Sequence, residues 1–234
     1  MLGGRREPVY FTAMIKRASP HIKICGLRTI ADLKTAIEAG ARWVGFVHFE
    51  NSPRHVSRQE GKALVEAAQA MSQDIETVVL LVNPSAEAAA ELAEDWGVDH
   101  IQLHGQETNE MIHRLRGLRP SGEIWKALPV SSRDDLKTVK AYPAADRFLF
   151  DARPPKDADR PGGWGHSFDW TLLKGFSCDK PWLLAGGLSP DNVAEACVTS
   201  GAKAVDVSSG VEAQKGVKDD ALIRSFCKNA QGAG

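Results

Sequence analysis

Eight short apolar runs, each followed by a segment of helical character, set the narrowest limit on how this chain folds. They occupy 22–25, 43–47, 77–82, 99–103, 124–128, 147–151, 182–185 and 204–207. The run at 77–82 is apolar almost without interruption, which suits a strand covered on both faces. Three joints share one plan: Glu38-Ala39-Gly40-Ala41, Asp95-Trp96-Gly97-Val98 and Thr199-Ser200-Gly201-Ala202 each set a glycine between a helix end and an apolar run. Such joints mark repeated αβ units.

The intervening segments carry start signals. Thr29 can cap a helix whose Ile30, Leu33, Ala36 and Ile37 share a face, and Ser57-Arg58-Gln59-Glu60 is a capping-box pattern. Asn83-Pro84-Ser85 launches a helix with Ala89, Leu92, Ala93 and Trp96 on one side. Further helices are expected near 107–117, 131–141, 168–174, 190–199 and 218–230. Strand and helix alternating eight times predicts an α/β, single-domain (β/α)8 TIM barrel over 21–234. An open doubly wound sheet has similar periodicity, but no G-x-G-x-x-G follows the first run.

Residues 1–20 hold Arg5, Arg6, Lys16 and Arg17 but no sustained apolar run, so they read as a loose extension rather than a secretory signal. An organellar transit peptide, or a working start at Met14, is the alternative there. With 43% apolar and 25% charged residues, the composition is that of a soluble globular protein. A formal net charge of -1 points away from a nucleic-acid or membrane surface. The four scattered cysteines, Cys25, Cys178, Cys197 and Cys227, suit a reducing, cytoplasmic compartment and argue against a zinc site.

If the strands are all parallel, their C-terminal ends converge on one face, where barrels of this kind place their chemistry. That face would gather Cys25, Arg54, His104, Asp151, Gly186-Gly187 and Ser208-Ser209-Gly210. Glycines let a phosphate approach backbone N–H groups, and Ser208 and Ser209 can add donors; loops after the seventh and eighth strands are the usual phosphate cradle. Ser189-Pro190 supplies a cap and a first-turn proline for the next helix. Gly162-Gly163-Trp164-Gly165 could fold over a ligand or be an ordinary linker.

Cys25 is either a buried small hydrophobe or, with a reference pKa of about 8.5, a base that neighbours can help to ionise. Asp151 is either a helix cap or a desolvated carboxyl carrying a proton near neutrality; pairing with Arg153 would instead hold it ionised. The Arg54 guanidinium could grip a carboxylate through two parallel hydrogen bonds, or be a solvated charge. His104 could orient a polar substrate group or be structural.

Seven ordered motifs make the chain resemble phosphoribosylanthranilate isomerases from Ile22 onward. They are Lys23-Ile24-Cys25-Gly26, Val44-Gly45-Phe46-Val47 with Ser52-Pro53-Arg54, Gln102-Leu103-His104-Gly105, Phe150-Asp151, Gly162-Gly163 with Phe168-Asp169-Trp170, Leu184-Ala185-Gly186-Gly187-Leu188, and Asp206-Val207-Ser208-Ser209-Gly210-Val211-Glu212. The resemblance implies an Amadori rearrangement in tryptophan biosynthesis, with Asp151 as general acid and Cys25 as general base. It also implies Arg54 on the anthranilate carboxylate and the two glycine- and serine-bearing loops on phosphate, with no cofactor or metal. The partner is a small phosphoribosyl substrate, the chain a monomer or homodimer, and Asp206 a secondary candidate. The pattern departs from the family at Trp164, His166 and residues 1–20.

Other readings remain open at this stage. One is another phosphosugar isomerase, with a single or second substrate. A ring-closing synthase would need a strand-end lysine pattern that Lys23 and Lys126 do not form. A non-catalytic phosphosugar-binding barrel would need neither Cys25 nor Asp151.

Overall fold

The computed structural model describes residues 19–153, 162, 165 and 167–233. Its alternation begins with β1 (His21–Cys25), α1 (Ile30–Glu38), β2 (Trp43–Val47), α2 (Arg58–Met71), β3 (Glu76–Leu81) and α3 (Ala86–Trp96). Next come β4 (His100–Leu103), α4 (Asn109–Leu118), β5 (Ile124–Val130), β6 (Arg147–Ala152), β7 (Trp182–Leu184), α5 (Val193–Ser200) and β8 (Ala204–Val207). A hairpin of β9 (Glu212–Gln214) and β10 (Val217–Lys218) precedes α6 (Asp220–Gln231). All neighbouring strands from β1 to β8 pair in parallel, and β1 returns to β8 in register from His21↔Ala204 to Ile24↔Val207. The sheet is a closed barrel, not an open one.

Helix starts follow the local chemistry. The Thr29 and Ser85 hydroxyls accept from Asp32 N and Ala88 N, both at 3.1 Å. Ser57 and Glu60 exchange hydrogen bonds at 3.3 and 2.7 Å, closing the expected capping box. Each such cap stabilises its helix by about 1 kcal/mol.

Four local expectations are corrected. Residues Arg133–Ala141 form a 3-10 helix, because Leu136, Val139 and Tyr142 meet the core at intervals of three. Trp170–Leu173 is also 3-10, and Gly175 at φ +72 turns the chain soon after it. Ser189 does not cap the seventh helix: α5 begins at Val193, and Asn192 braces the preceding loop by accepting from Ser189 N and donating to Gly187 O. Lys218 ends the hairpin instead of opening the last helix, whose cap is Asp219.

Alternation along the strands sorts the side chains. Ile22, Ile24, Val44 and Phe46 face the helices, whereas Trp43, Val78, Trp125, Ala127, Leu149, Leu183, Ala185 and Ala204 fill the barrel. At the strands' N-terminal end Trp43 and Trp125 meet edge-on at 5.4 Å, with Arg147 5.1 Å from both rings. Glu123 accepts from Trp125 Nε1 and Arg147, which ties this plug together.

The loose extension expected over 1–20 falls almost wholly outside the described residues, as do Gly163, Trp164 and His166 of the expected lid.

Candidate active site

On β1, residues two apart share a face, so Lys23 and Cys25 both point into the barrel. Cys25 pairs with Gly45 on β2. A Cβ at Gly45 would lie 2.9 Å from Cys25 Sγ and 3.1 Å from Lys23 Nζ, so the missing side chain makes room for both. Lys23 pairs in register with Asp206 on β8, and its Nζ donates to Asp206 Oδ1 at 2.6 Å. Burial pushes the Cys25 thiol up, Lys23 draws it back, and Asp206 adds to the rise. Burial alone would lower the Lys23 pKa, but Asp206 and Cys25 outweigh it and leave it raised.

Asp151 ends the apolar face of β6. Its Oδ1 accepts from Ala152 N at 2.8 Å, and its Oδ2 lies 3.2 Å from His104 Nε2. Gln102 Nε2 stands 3.0 Å from His104 Nδ1. With Gln102 donating there, the imidazole carries its proton on Nε2, the nitrogen nearer Asp151. Gly162 closes over the pair: a Cβ there would lie 2.7 Å from His104 Nε2 and 2.8 Å from Asp151 Oδ2. Arg153 turns elsewhere, donating to Asp135 at 2.8 Å and Ser131 at 3.0 Å.

Two clefts meet at Asp151, Gly162, Asp206 and Ser208. The larger, about 530 Å³, adds Cys25, Arg54, Gln102, His104 and the apolar Val47, Phe49, Leu80 and Val82. The other, about 460 Å³, adds Arg153, Gly186, Gly187 and Ser209. Gly186 and Gly187 take φ of +82 and +62, and neither N–H donates to another described residue. A side chain at Gly186 would strike Ala152 N at 2.5 Å. Successive free N–H groups of this kind form an anion-binding concavity. Ser208 Oγ donates instead to Cys25 O at 3.1 Å, and the Ser209 hydroxyl has no partner among the described residues.

Arg54 is 4% exposed and already gripped. Its Nε and Nη2 donate to Glu212 at 2.6 and 2.9 Å. Lys218 Nζ donates to the same carboxylate at 2.9 Å and to Ser208 O at 2.8 Å, and Gly216 N adds a bond at 3.0 Å. Burial would raise the Glu212 pKa, but Arg54, Lys218 and Gly216 together hold it below the ordinary value. Arg54 therefore reaches the cleft with its Nη1 side, which has no partner among the described residues.

Residues 22–229 match the family described as N-(5'-phosphoribosyl)anthranilate (PRA) isomerase. The chain belongs to that family. It is 48% identical over 210 residues to the N-(5'-phosphoribosyl)anthranilate isomerase of Paracoccus denitrificans, covering 89% of this chain and 96% of that one. The crystal structure of the Thermotoga maritima isomerase superposes with a TM-score of 0.79 at 33% identity, covering 91% of this chain and 99% of that one. A further isomerase structure, in complex with reduced 1-(o-carboxyphenylamino)-1-deoxyribulose 5-phosphate, has a TM-score of 0.76 at 30% identity, with coverages of 91% and 99%.

For this member of the isomerase family, the structure brings Cys25, Arg54, His104 and Asp151 to one cleft and Gly186, Gly187 and Ser209 to its neighbour, with Ser208 between. Gly210 lies off the cleft walls: a Cβ there would run into Leu188 O at 1.8 Å, so it serves the contact between the last two loops. Sequence reasoning passed over Lys23, Gln102, Glu212 and Lys218. For Lys23 a signal existed, since it alternates in phase with Cys25.

Proposed function

We propose that the chain converts N-(5-phosphoribosyl)anthranilate into 1-(o-carboxyphenylamino)-1-deoxyribulose 5-phosphate, with Asp151 as general acid and Cys25 as general base. The observation that carries the residue roles is the shared cleft: a thiol at the end of β1 and a carboxyl at the end of β6 line it, beside a glycine-built anion concavity.

The phosphate anchors on the Gly186 and Gly187 N–H groups and Ser209, which fixes the ribose over the barrel mouth. Asp151 gives its proton to the ring oxygen as the C1–O bond breaks, and the nitrogen lone pair forms the C1=N bond. His104, whose Nε2 lies 3.2 Å from Asp151 Oδ2, orients that carboxyl. Cys25 then takes the proton from C2. The C2–H electron pair becomes the C1=C2 bond, and the C1=N pair returns to nitrogen, giving an enolamine. Movement of the 2-hydroxyl proton to C1 completes the ketone. The substrate gains one proton from Asp151 and yields one to Cys25, so its composition is unchanged, and the two side chains reset by exchanging a proton with solvent. Phe49, Leu80 and Val82 offer an apolar wall to the anthranilate ring, and Arg54 Nη1 faces its carboxylate.

The protein acts as a monomer or homodimer in the cytoplasm; among the described residues no helix is long and apolar enough to cross a membrane. Incubation with freshly made substrate should yield an isomeric product of unchanged mass that an indoleglycerol-phosphate synthase closes to the indole. A folded preparation that leaves the substrate intact overturns the assignment.

A further inference from the structure

Lys23 is a lysine with no exposed surface, deep inside the barrel rather than at its mouth. A buried ammonium costs several kcal/mol unless it is paired, and removing one partner strands the other. A single carboxylate would satisfy a structural ion pair, and Asp206 supplies it at 2.6 Å. The placement does more. The β1 alternation puts the same Nζ on the Cys25 side of the strand, and a Cβ built on Gly45 would lie 3.1 Å from Lys23 Nζ and 2.9 Å from Cys25 Sγ. The ammonium is thus bonded to an anchored carboxylate and shares with the thiol the space that the missing Gly45 side chain leaves.

We propose that Lys23 is the positioning residue of the Cys25 base: held by Asp206, its ammonium lies against the sulfur and compensates the thiolate that must form before the C2 proton is taken. This rests on the isomerase reading above. In the resting pair the charges of Lys23 and Asp206 cancel. Release of the thiol proton to solvent through the cleft adds one negative charge, and Lys23 then faces two anions. When Cys25 takes the substrate proton, neutrality returns. Lys23 carries no proton to or from substrate.

The elements around the sulfur differ in the charge they present. β2 presents Gly45, which has none. β8 presents Asp206, which opposes the thiolate, and β10 presents Lys218, which favours it less than Lys23 does. Lys218 is itself bound to Glu212 and the Ser208 carbonyl. Arg54, His104 and Asp151 share the cleft wall. Lys23 is the cation that Cys25 meets first, and the first charged influence on it after burial.

The distinguishing feature is sign. A merely structural pair, broken from either side, would disturb Cys25 in the same sense. Under the proposal, Lys23→Met removes the compensating cation, whereas Asp206→Asn removes the competing anion and leaves Lys23 to the sulfur.

The test measures iodoacetamide alkylation of Cys25 against pH, resolved from Cys178, Cys197 and Cys227 by peptide mass spectrometry. An opposite charge at contact range moves a pKa by about 1 to 3 units. Lys23→Met should raise the alkylation midpoint by about that amount and shift the acid limb of kcat equally. Asp206→Asn should lower the midpoint, and Lys23→Arg should restore much of what Lys23→Met loses. A midpoint unmoved in Lys23→Met, or raised in Asp206→Asn, overturns the proposal. If Lys23→Met does not fold, the direction in Asp206→Asn decides it alone. Alkylation needs no turnover, so opposite shifts in a chain that leaves phosphoribosylanthranilate intact would keep the role of Lys23 and reject the isomerase reading.

Discussion

Replacing Glu212 by glutamine isolates the charge that holds Arg54 in place. The carboxylate accepts four hydrogen bonds, two from Arg54, one from Lys218 and one from Gly216, and its side chain is 4% exposed. Glutamine has nearly the same shape but offers one oxygen and places an NH2 against cationic donors. Breaking a buried ion pair from one side costs about 3–5 kcal/mol. For a chain of this size each kcal/mol lowers Tm by roughly 2–4 °C, so Glu212→Gln should lose about 6–20 °C by calorimetry at pH 7. The sign of the pH dependence follows from the depressed Glu212 pKa. Its contribution is complete above the ordinary glutamate value of about 4.3 and fades as pH falls through the lower folded value. The gap between wild type and variant should therefore narrow only in acid. A loss under about 2 °C at pH 7, or a gap that widens on acidification, would refute the buried network as the anchor of Arg54.

Three further outcomes are expected. Asp151→Asn should lower kcat by about 100- to 10,000-fold with the fold retained, measured by steady-state kinetics; near-normal kcat removes Asp151 as the acid. Gly186→Ala combines a φ of +82 with a 2.5 Å approach to Ala152 N, so it should displace the loop and raise KM for the phosphorylated substrate, and unchanged KM would move the phosphate elsewhere. Arg54→Lys keeps the charge but loses the Nη1 donor that Arg54 has free beyond its two bonds to Glu212. With a charged hydrogen bond contributing about 1.5–3 kcal/mol, KM should rise roughly 10- to 150-fold more than kcat falls, and unaltered KM would exclude Arg54 from carboxylate binding.

The barrel was legible because its signals are local. Apolar runs, the capping box at Ser57 and glycines at helix ends each report on a few neighbouring residues. Cys25 and Asp151 were legible as the polar ends of apolar strands. What escaped is held together across the chain: Arg54 and Glu212 are 158 residues apart, and Lys23 and Asp206 are 183 apart. A lone lysine or glutamate in sequence reads as a solvated charge; closure of β1 on β8 pairs Lys23 with Asp206, and the β9–β10 hairpin carries Glu212 to Arg54. The 3-10 segment at Arg133–Ala141 escaped for a different reason, since intervals of three and of 3.6 differ little over nine residues. The β9–β10 hairpin is too short for strand periodicity to register, yet it delivers both Glu212 and Lys218.

The central claim is that this barrel isomerises phosphoribosylanthranilate through Cys25. Anthranilate-type fluorescence followed after mixing purified protein with fresh substrate, with Cys25→Ala in parallel, tests it most directly. Rapid loss of fluorescence with wild type, slowed about 100- to 10,000-fold in the folded variant, is the predicted result. Equal rates in the two proteins would contradict it.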